Sequence, residues 1–315
     1  MPTQLTATDM SAHFLPLAAD PQADLVETGH GYWATGDGAP VVLLHSSLGS
    51  KSQWSALVER LASRFRVIAL DLFGYGDNAL PASSESFTLE QEVESLAARL
   101  DRLIPARDRI HLVGHSYGGL VALRFAQYAS DRIASLAVYE PVAFRLLDER
   151  DAALLDVKRL AFRISRLVAA GCHRYAAQAF VDFWNGDGSY ARLPQHAQAG
   201  IARRVDKLPL DFQAAASWPT TLEDIRRIAA PMLLLGGKQS PSVVQRGHAR
   251  LVGAIPRSRA ALFDAGHMGP VTDGHRINPW IEAFVDLCER NEVSRAGARW
   301  RGSADGRQLT DVTLA

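Results

Sequence analysis

The stretch Gly114-His115-Ser116-Tyr117-Gly118-Gly119 decides how this chain is to be read. It follows Ile110–Gly114 (IHLVG), a short apolar run without polar alternation, as expected of a strand covered on both faces. It opens onto Gly118–Tyr128, whose pattern is helical. Ser116 therefore stands on a strand–turn–helix junction, where glycine neighbours let a strained turn pack tightly. The helix starting at Tyr117 turns its free N–H groups and positive end toward the place where an oxyanion would form. The bare GxSxG spelling occurs often by chance, but this context is the one a nucleophile elbow requires.

Outward from that junction, the same kind of run recurs at Val41–His45, Arg66–Asp71, Ile133–Tyr139, Met232–Gly236 and Arg259–Asp264. Helical patterns fill the intervals. Ser52–Ser63 places Trp54, Leu57, Val58 and Leu61 on one face, the segment after Thr88 opens with the capping-box pattern TLEQ, and Ile277–Cys288 follows the last strand. Strands alternating with helices predict an α/β fold with a doubly wound, mostly parallel sheet. Val26–Gly36, with the turn Gly29-His30-Gly31, reads as an antiparallel hairpin at the sheet's start. Between about Val142 and Ile225 the alternation stops and the periodicity turns helical (LLDVKRLAFRISRLV), which marks a candidate lid inserted after the strand ending near Glu140. The expected organisation is an N-terminal extension over 1–24, a core over 25–141 and 226–291, a helical lid over 142–225, and a polar, irregular tail over 292–315.

Two further loops carry chemistry. His45-Ser46-Ser47-Leu48-Gly49 directly follows a strand, and a backbone N–H there, with that of Tyr117, would make an oxyanion hole. By position the N–H is that of Ser47. Gly266-His267-Met268-Gly269-Pro270 follows the last strand and offers His267 as a general base, which must be neutral near pH 7 and within reach of the serine.

These segments, HSSLG, ALDLFGYGDN, LVGHSYGGLVAL and AGHMGP, occur in the order found in the α/β-hydrolase family, which the chain resembles over roughly residues 25–290. The resemblance implies Ser116 as nucleophile, His267 as base and the Ser47 and Tyr117 amides as oxyanion donors. It also implies a structural role for Asp71. Where the family's first loop usually reads HG, Ser46 stands here. Many members carry the triad acid after the strand preceding the base; here that strand, MLLLG, is followed by Gly237-Lys238-Gln239-Ser240-Pro241, without a carboxylate. Other members carry it one strand earlier, where this chain reads Tyr139-Glu140-Pro141. Glu140 is thus the expected acid, with Asp264 the weaker rival.

Gly74-Tyr75-Gly76-Asp77-Asn78-Ala79 spells a dinucleotide fingerprint, but Pro81 and the run PASSES follow it, so no helix opens there to hold a pyrophosphate. The ten histidines form no HExxH pattern. No cofactor or metal is expected. Lys plus Arg equals Asp plus Glu, at 34 each, which gives no electrostatic reason for nucleic acid or an anionic membrane as partner. Two isolated cysteines, Cys172 and Cys288, and the absence of a basic start followed by an apolar run point to the cytoplasm. Phe180, Phe183, Trp184, Phe212 and Trp218 are candidates for the wall of an apolar pocket, Trp184 first among them together with Ser46. The expected activity is cleavage of an ester or similar acyl bond of a small, partly apolar substrate. The alternatives are a carbon–carbon bond hydrolase of the same fold and a non-catalytic ligand receptor on the same scaffold. A haloalkane dehalogenase is disfavoured, since that chemistry wants a carboxylate at position 116.

Overall fold

The computed structural model describes residues 27–82 and 87–297. Eight strands form one sheet: β1 (Glu27–Gly29), β2 (Tyr32–Thr35), β3 (Pro40–Leu44), β4 (Arg66–Leu70), β5 (Ile110–His115), β6 (Ile133–Tyr139), β7 (Met232–Gly237) and β8 (Arg259–Phe263). Their spatial order is β1-β2-β4-β3-β5-β6-β7-β8. β1 pairs with β2, and β2 with β4, antiparallel; every other pairing is parallel.

Every residue of β3, β5, β6 and β7 is buried, which is why their sequences show no polar alternation. Successive side chains still point to opposite faces. Val42, Leu44, Leu112 and Leu234 join one core, and Val41, Leu43, Val113, Leu233 and Leu235 the other. On the second face lie α1 (Ser55–Leu61) and the long C-terminal helix, which supplies Ile277, Ile281 and Phe284. On the first face lie α2 (Leu89–Leu103) and α3 (Tyr117–Tyr128). Thr88 and Gln91 cap α2 reciprocally, as TLEQ predicts.

Between β6 and β7 the described elements are all helical: α4 (Ala152–Ala169), α5 (His173–Asn185), α6 (Ser189–Arg192), α7 (Gln195–Ala202), α8 (Leu208–Ser217) and α9 (Leu222–Arg226). Their apolar sides, including Leu154, Ile164, Trp184, Ile201 and Ala214, merge with the first core rather than forming a separate one. After β7 come α10 (Ser242–Ala254), then α11 (Gly269–Thr272) and α12 (Gly274–Gly297) beyond β8.

Two sequence expectations shift. Ser52–Ser63 is not one α-helix; Lys51–Trp54 is a 3₁₀ turn leading into α1. Residues 292–297, expected in the polar tail, continue α12. Glu292 to Ala296 contains neither Gly nor Pro. The remainder of that tail, 298–315, and the 1–24 extension lie outside the described residues. Gly74–Ala79 forms a turn with positive φ at Gly74 and Gly76. It wraps the Asp71 carboxylate, which accepts from the amides of Lys51 (2.6 Å) and Asp77 (3.0 Å) and from Lys51 Nζ (2.7 Å).

Candidate active site

β3 has β4 on one side and β5 on the other, so the chain leaves β3 in one direction and returns on the opposite side. At such a switch point the loops leaving neighbouring strands diverge and open a crevice at their carboxyl ends. The loop after β3 carries Ser46 and Ser47, and the loop after β5 carries Ser116.

Ser116 has φ +55° and ψ −115°, a conformation disfavoured for a residue with a side chain. Backbone hydrogen bonds hold it there: its N–H donates to Tyr139 O (3.0 Å), and its carbonyl accepts from Leu120 N (3.0 Å) and Val142 N (3.3 Å). The flanking glycines are demanded by close approach. A Cβ on Gly114 would stand 2.5 Å from Gly118 O, and one on Gly118 would stand 2.4 Å from His45 O. With those contacts tolerated, α3 starts directly behind the serine.

His267 follows β8, and its ring reaches both partners. Ser116 Oγ lies 2.9 Å from Nε2, and Nδ1 lies 2.7 Å from Glu140 Oε2. With a carboxylate accepting at Nδ1, that nitrogen carries the proton and Nε2 is left to accept from the serine. Glu140 sits at the end of β6 with φ +43°. Its N–H donates to Leu235 O (3.0 Å), and its other oxygen, Oε1, accepts from Gly237 N (2.7 Å). Both carboxylate oxygens are thus engaged, and the group is 1% exposed. Asp264 is exposed, and its carbonyl accepts from Arg276; the carboxylate that meets His267 is Glu140's.

Three neighbours hold the His267 backbone and ring. His115 Nε2–H donates to His267 O (2.8 Å). Burial pushes the His115 pKa well below the usual value, so it stays neutral and sets no second positive charge beside the site. Tyr139 Oη donates to Gly266 O (2.8 Å). The indole of Trp184 stacks on the His267 ring, centroids 4.4 Å apart and planes 26° apart. Neither the stack nor the His115 contact is legible in the sequence, since each joins residues brought together only by the folded chain.

Ser47 lines the same pocket as Ser116, and Tyr117 follows the serine in the chain. Tyr117 is the first residue of α3, so its N–H has no acceptor within the helix. The Ser47 turn is tight, with Leu48 at φ +62° and Gly49 N–H donating to Ser46 O (3.0 Å). Ser46, where the family usually has glycine, is secured by Gln53, whose Oε1 accepts from both its amide (3.0 Å) and its hydroxyl (2.9 Å). A pocket of about 380 Å³, open mouth included, lies over Ser116. Ser46, Ser47, Phe180, Trp184 and Met268 line it together with Ser116 and His267. Phe183 and Phe212 instead pack edge-on against Trp184 and Phe180. Trp218 is buried and donates through Nε1 to Gln127 of α3 (3.2 Å), so it ties the insert to the core.

The arrangement can deprotonate a serine hydroxyl at a buried site, which is the equipment of nucleophilic catalysis. Among known proteins, the model of the alpha/beta hydrolase family matches residues 41–280. A putative 2-succinyl-6-hydroxy-2,4-cyclohexadiene-1-carboxylate synthase of Bacillus subtilis is 27% identical over 78% of this chain and 89% of its own. An alpha/beta hydrolase from Sphaerobacter thermophilus superposes with TM-score 0.57 at 27% identity, covering 73% of this chain and 87% of that one. MenH from S. aureus shares the fold, with TM-score 0.65 at 22% identity over 83% of this chain and all of its own (100%). Since the matched stretch runs from β3 into the helix after β8, and takes in the serine, the histidine and the glutamate, the chain belongs to the alpha/beta hydrolase family.

Proposed function

We propose that this hydrolase cleaves an ester or similar acyl bond of a small, partly apolar substrate through an acyl-enzyme on Ser116. The observation that carries the reading is the buried hydrogen-bond line from Ser116 Oγ through His267 to Glu140. His267 Nε2 takes the hydroxyl proton as Oγ bonds to the substrate carbonyl carbon. The amides of Ser47 and Tyr117 receive the negative charge that forms on the carbonyl oxygen. Collapse breaks the bond to the leaving group, which takes the proton from His267. Water then attacks the acyl carbon, giving its proton to His267, and the acid departs as Oγ regains a proton. Glu140 holds the Nδ1–H tautomer throughout and stabilises the imidazolium.

The helical insert over 142–225 acts as a lid in this reading: α5 supplies Phe180 and Trp184 to the pocket wall. Phe180, Trp184 and Met268 give that pocket an apolar wall, which suits a partly apolar substrate. No helix among the described residues is long and apolar enough to cross a membrane. We place the enzyme in the cytoplasm on its cysteine usage, with a small molecule rather than nucleic acid or membrane as its partner. A second reading is carbon–carbon bond hydrolysis by the same serine and histidine on the same fold. A panel of p-nitrophenyl esters of graded acyl length decides between them. Turnover of short esters that vanishes in Ser116→Ala supports the first reading; an inert panel with serine-dependent cleavage of a β-diketone supports the second.

A further inference from the structure

Behind the two loops lies a buried charge cluster that the mechanism above does not use. Lys207 is fully buried at the start of α8, and its Nζ donates to Asp211 Oδ1 (2.7 Å) and Glu92 Oε2 (3.0 Å). Asp211 Oδ2 accepts from the Ser47 hydroxyl (2.5 Å) and the Tyr75 hydroxyl (2.6 Å). Glu92 Oε2 also accepts from the Tyr117 hydroxyl (3.1 Å), and its Oε1 from Phe73 N–H (3.0 Å). The rings of Phe87 and Tyr117 flank the ammonium at 4.4 and 4.8 Å. Burial works against the Lys207 charge, but Asp211 and Glu92 more than offset it, and the ammonium is held protonated.

The ends of this cluster are informative. One branch closes on Ser47 and the other on Tyr117, the two residues whose amides form the proposed oxyanion hole. An apolar cluster of the same volume would be as stable or more so, so stability alone does not call for a lysine and two carboxylates here. The Ser47 hydroxyl, engaged by Asp211, is an anchor for its own loop rather than a donor to substrate.

We infer that Asp211 and Lys207 are positioning residues through which the β6–β7 insert sets the geometry of the oxyanion hole. The inference rests on the acyl-transfer reading above. It has a consequence for the insert: α8 is not only a cover, because seating it brings Asp211 to Ser47 and Lys207 to the Glu92–Tyr117 branch. Donors that meet the charge only as it develops raise kcat rather than lower KM, so loosening them should show in kcat.

The test uses the full chain, p-nitrophenyl acetate and a fluorophosphonate probe, with Asp211→Asn and Ser47→Ala. Asn at 211 places an NH₂ group against either Lys207 or the two hydroxyls. Ala at 47 removes one oxygen and leaves Lys207 paired. The expected result is a kcat lowered by about tenfold or more in Asp211→Asn and by several-fold in Ser47→Ala, with KM within about threefold. The labelling rate of Ser116 should fall in step, and the double variant should lose little more than Asp211→Asn alone, since both cut one linkage. If Asp211→Asn does not fold, Ser47→Ala decides alone. Wild-type kcat and labelling in the folded variants, or a rise in KM that accounts for the whole loss, overturns the inference. An unmodified protein inert to both probes overturns the acyl-transfer reading and this inference with it.

Discussion

Replacing Glu140 by glutamine exchanges one buried oxygen for an NH₂ group and removes the charge, with the volume unchanged. The structure leaves the amide no good orientation. If its oxygen keeps the Gly237 N–H, its NH₂ faces His267 Nδ1, and that nitrogen can accept only if the ring proton moves to Nε2. Nε2 then meets Ser116 Oγ as a donor and cannot take its proton. If the amide turns over, its NH₂ confronts the Gly237 N–H, and one buried donor goes unpaired, at about 1–3 kcal/mol. Catalysis therefore suffers from the wrong tautomer and from an uncompensated imidazolium, by roughly 10²–10⁴ in kcat. Stability changes much less, because the neutral amide costs less to bury than the carboxylate and partly offsets the mismatch. The assay is steady-state hydrolysis of p-nitrophenyl acetate beside thermal melting, with Asp264→Asn as control. Asp264 is exposed, so the control should retain activity within a few-fold. A Glu140→Gln enzyme with near-normal kcat, or an Asp264→Asn enzyme with the larger loss, would refute the assignment.

Three other perturbations test other parts of the account. Trp184→Ala removes the ring stacked on His267 and one wall of the pocket, so kcat for the acetate ester should fall while the kcat/KM ratio of octanoate to acetate rises; an unchanged acyl preference would take Trp184 out of the substrate wall. In Gly118→Ala the new Cβ meets the carbonyls of His45 and Leu44 at 2.4 and 2.5 Å, both backbone atoms, so chemical denaturation should show a loss of about 3 kcal/mol; a wild-type midpoint would mean that the elbow has room to relax. Burial alone would push Asp71 up, but His45, Lys51 and the Lys51 and Asp77 amides more than offset it and hold the carboxyl below its ordinary value. That stabilisation is present above the unfolded-state pKa and is lost as pH falls through the folded one. The stability gap between wild type and Asp71→Asn should therefore narrow on acidification from about pH 5 to about pH 3, whereas a gap that is flat or widening would contradict it.

The parallel strands were legible because burial on both faces leaves uninterrupted apolar runs such as MLLLG, with Gly and Pro marking their ends. Ser116 was legible for a related reason: it stands in a short loop whose glycines are forced by close backbone approach, so the local spelling carries the geometry. His267 was legible from its place in the loop after the last strand and from the resemblance to the family. Glu140 could be reached only by combining the missing carboxylate after Gly237 with the one after Tyr139. The Lys207–Asp211 cluster was out of reach. A lysine in a helical segment ordinarily reads as a solvated residue, and its burial depends on Glu92, 115 residues away, and on Asp211 meeting Ser47 across 164 residues. The Trp184 stack is hidden for the same reason, since a tryptophan in an amphipathic helix usually serves that helix's own core. Residues 292–297 were assigned to the tail although they are helical, because a polar segment can remain helical when no breaker interrupts it.

The central claim is that Ser116 is a nucleophile armed by His267, and covalent capture tests it most directly. Wild-type protein and Ser116→Ala are treated with a fluorophosphonate, weighed intact and mapped by peptide. The account predicts one adduct per wild-type chain, on the peptide carrying Ser116. It predicts none on Ser116→Ala, which should melt like wild type while losing on the order of 10⁴ or more in kcat for p-nitrophenyl acetate. An unlabelled wild type, an adduct on another residue, or a Ser116→Ala protein that turns over ester at the normal rate would contradict it.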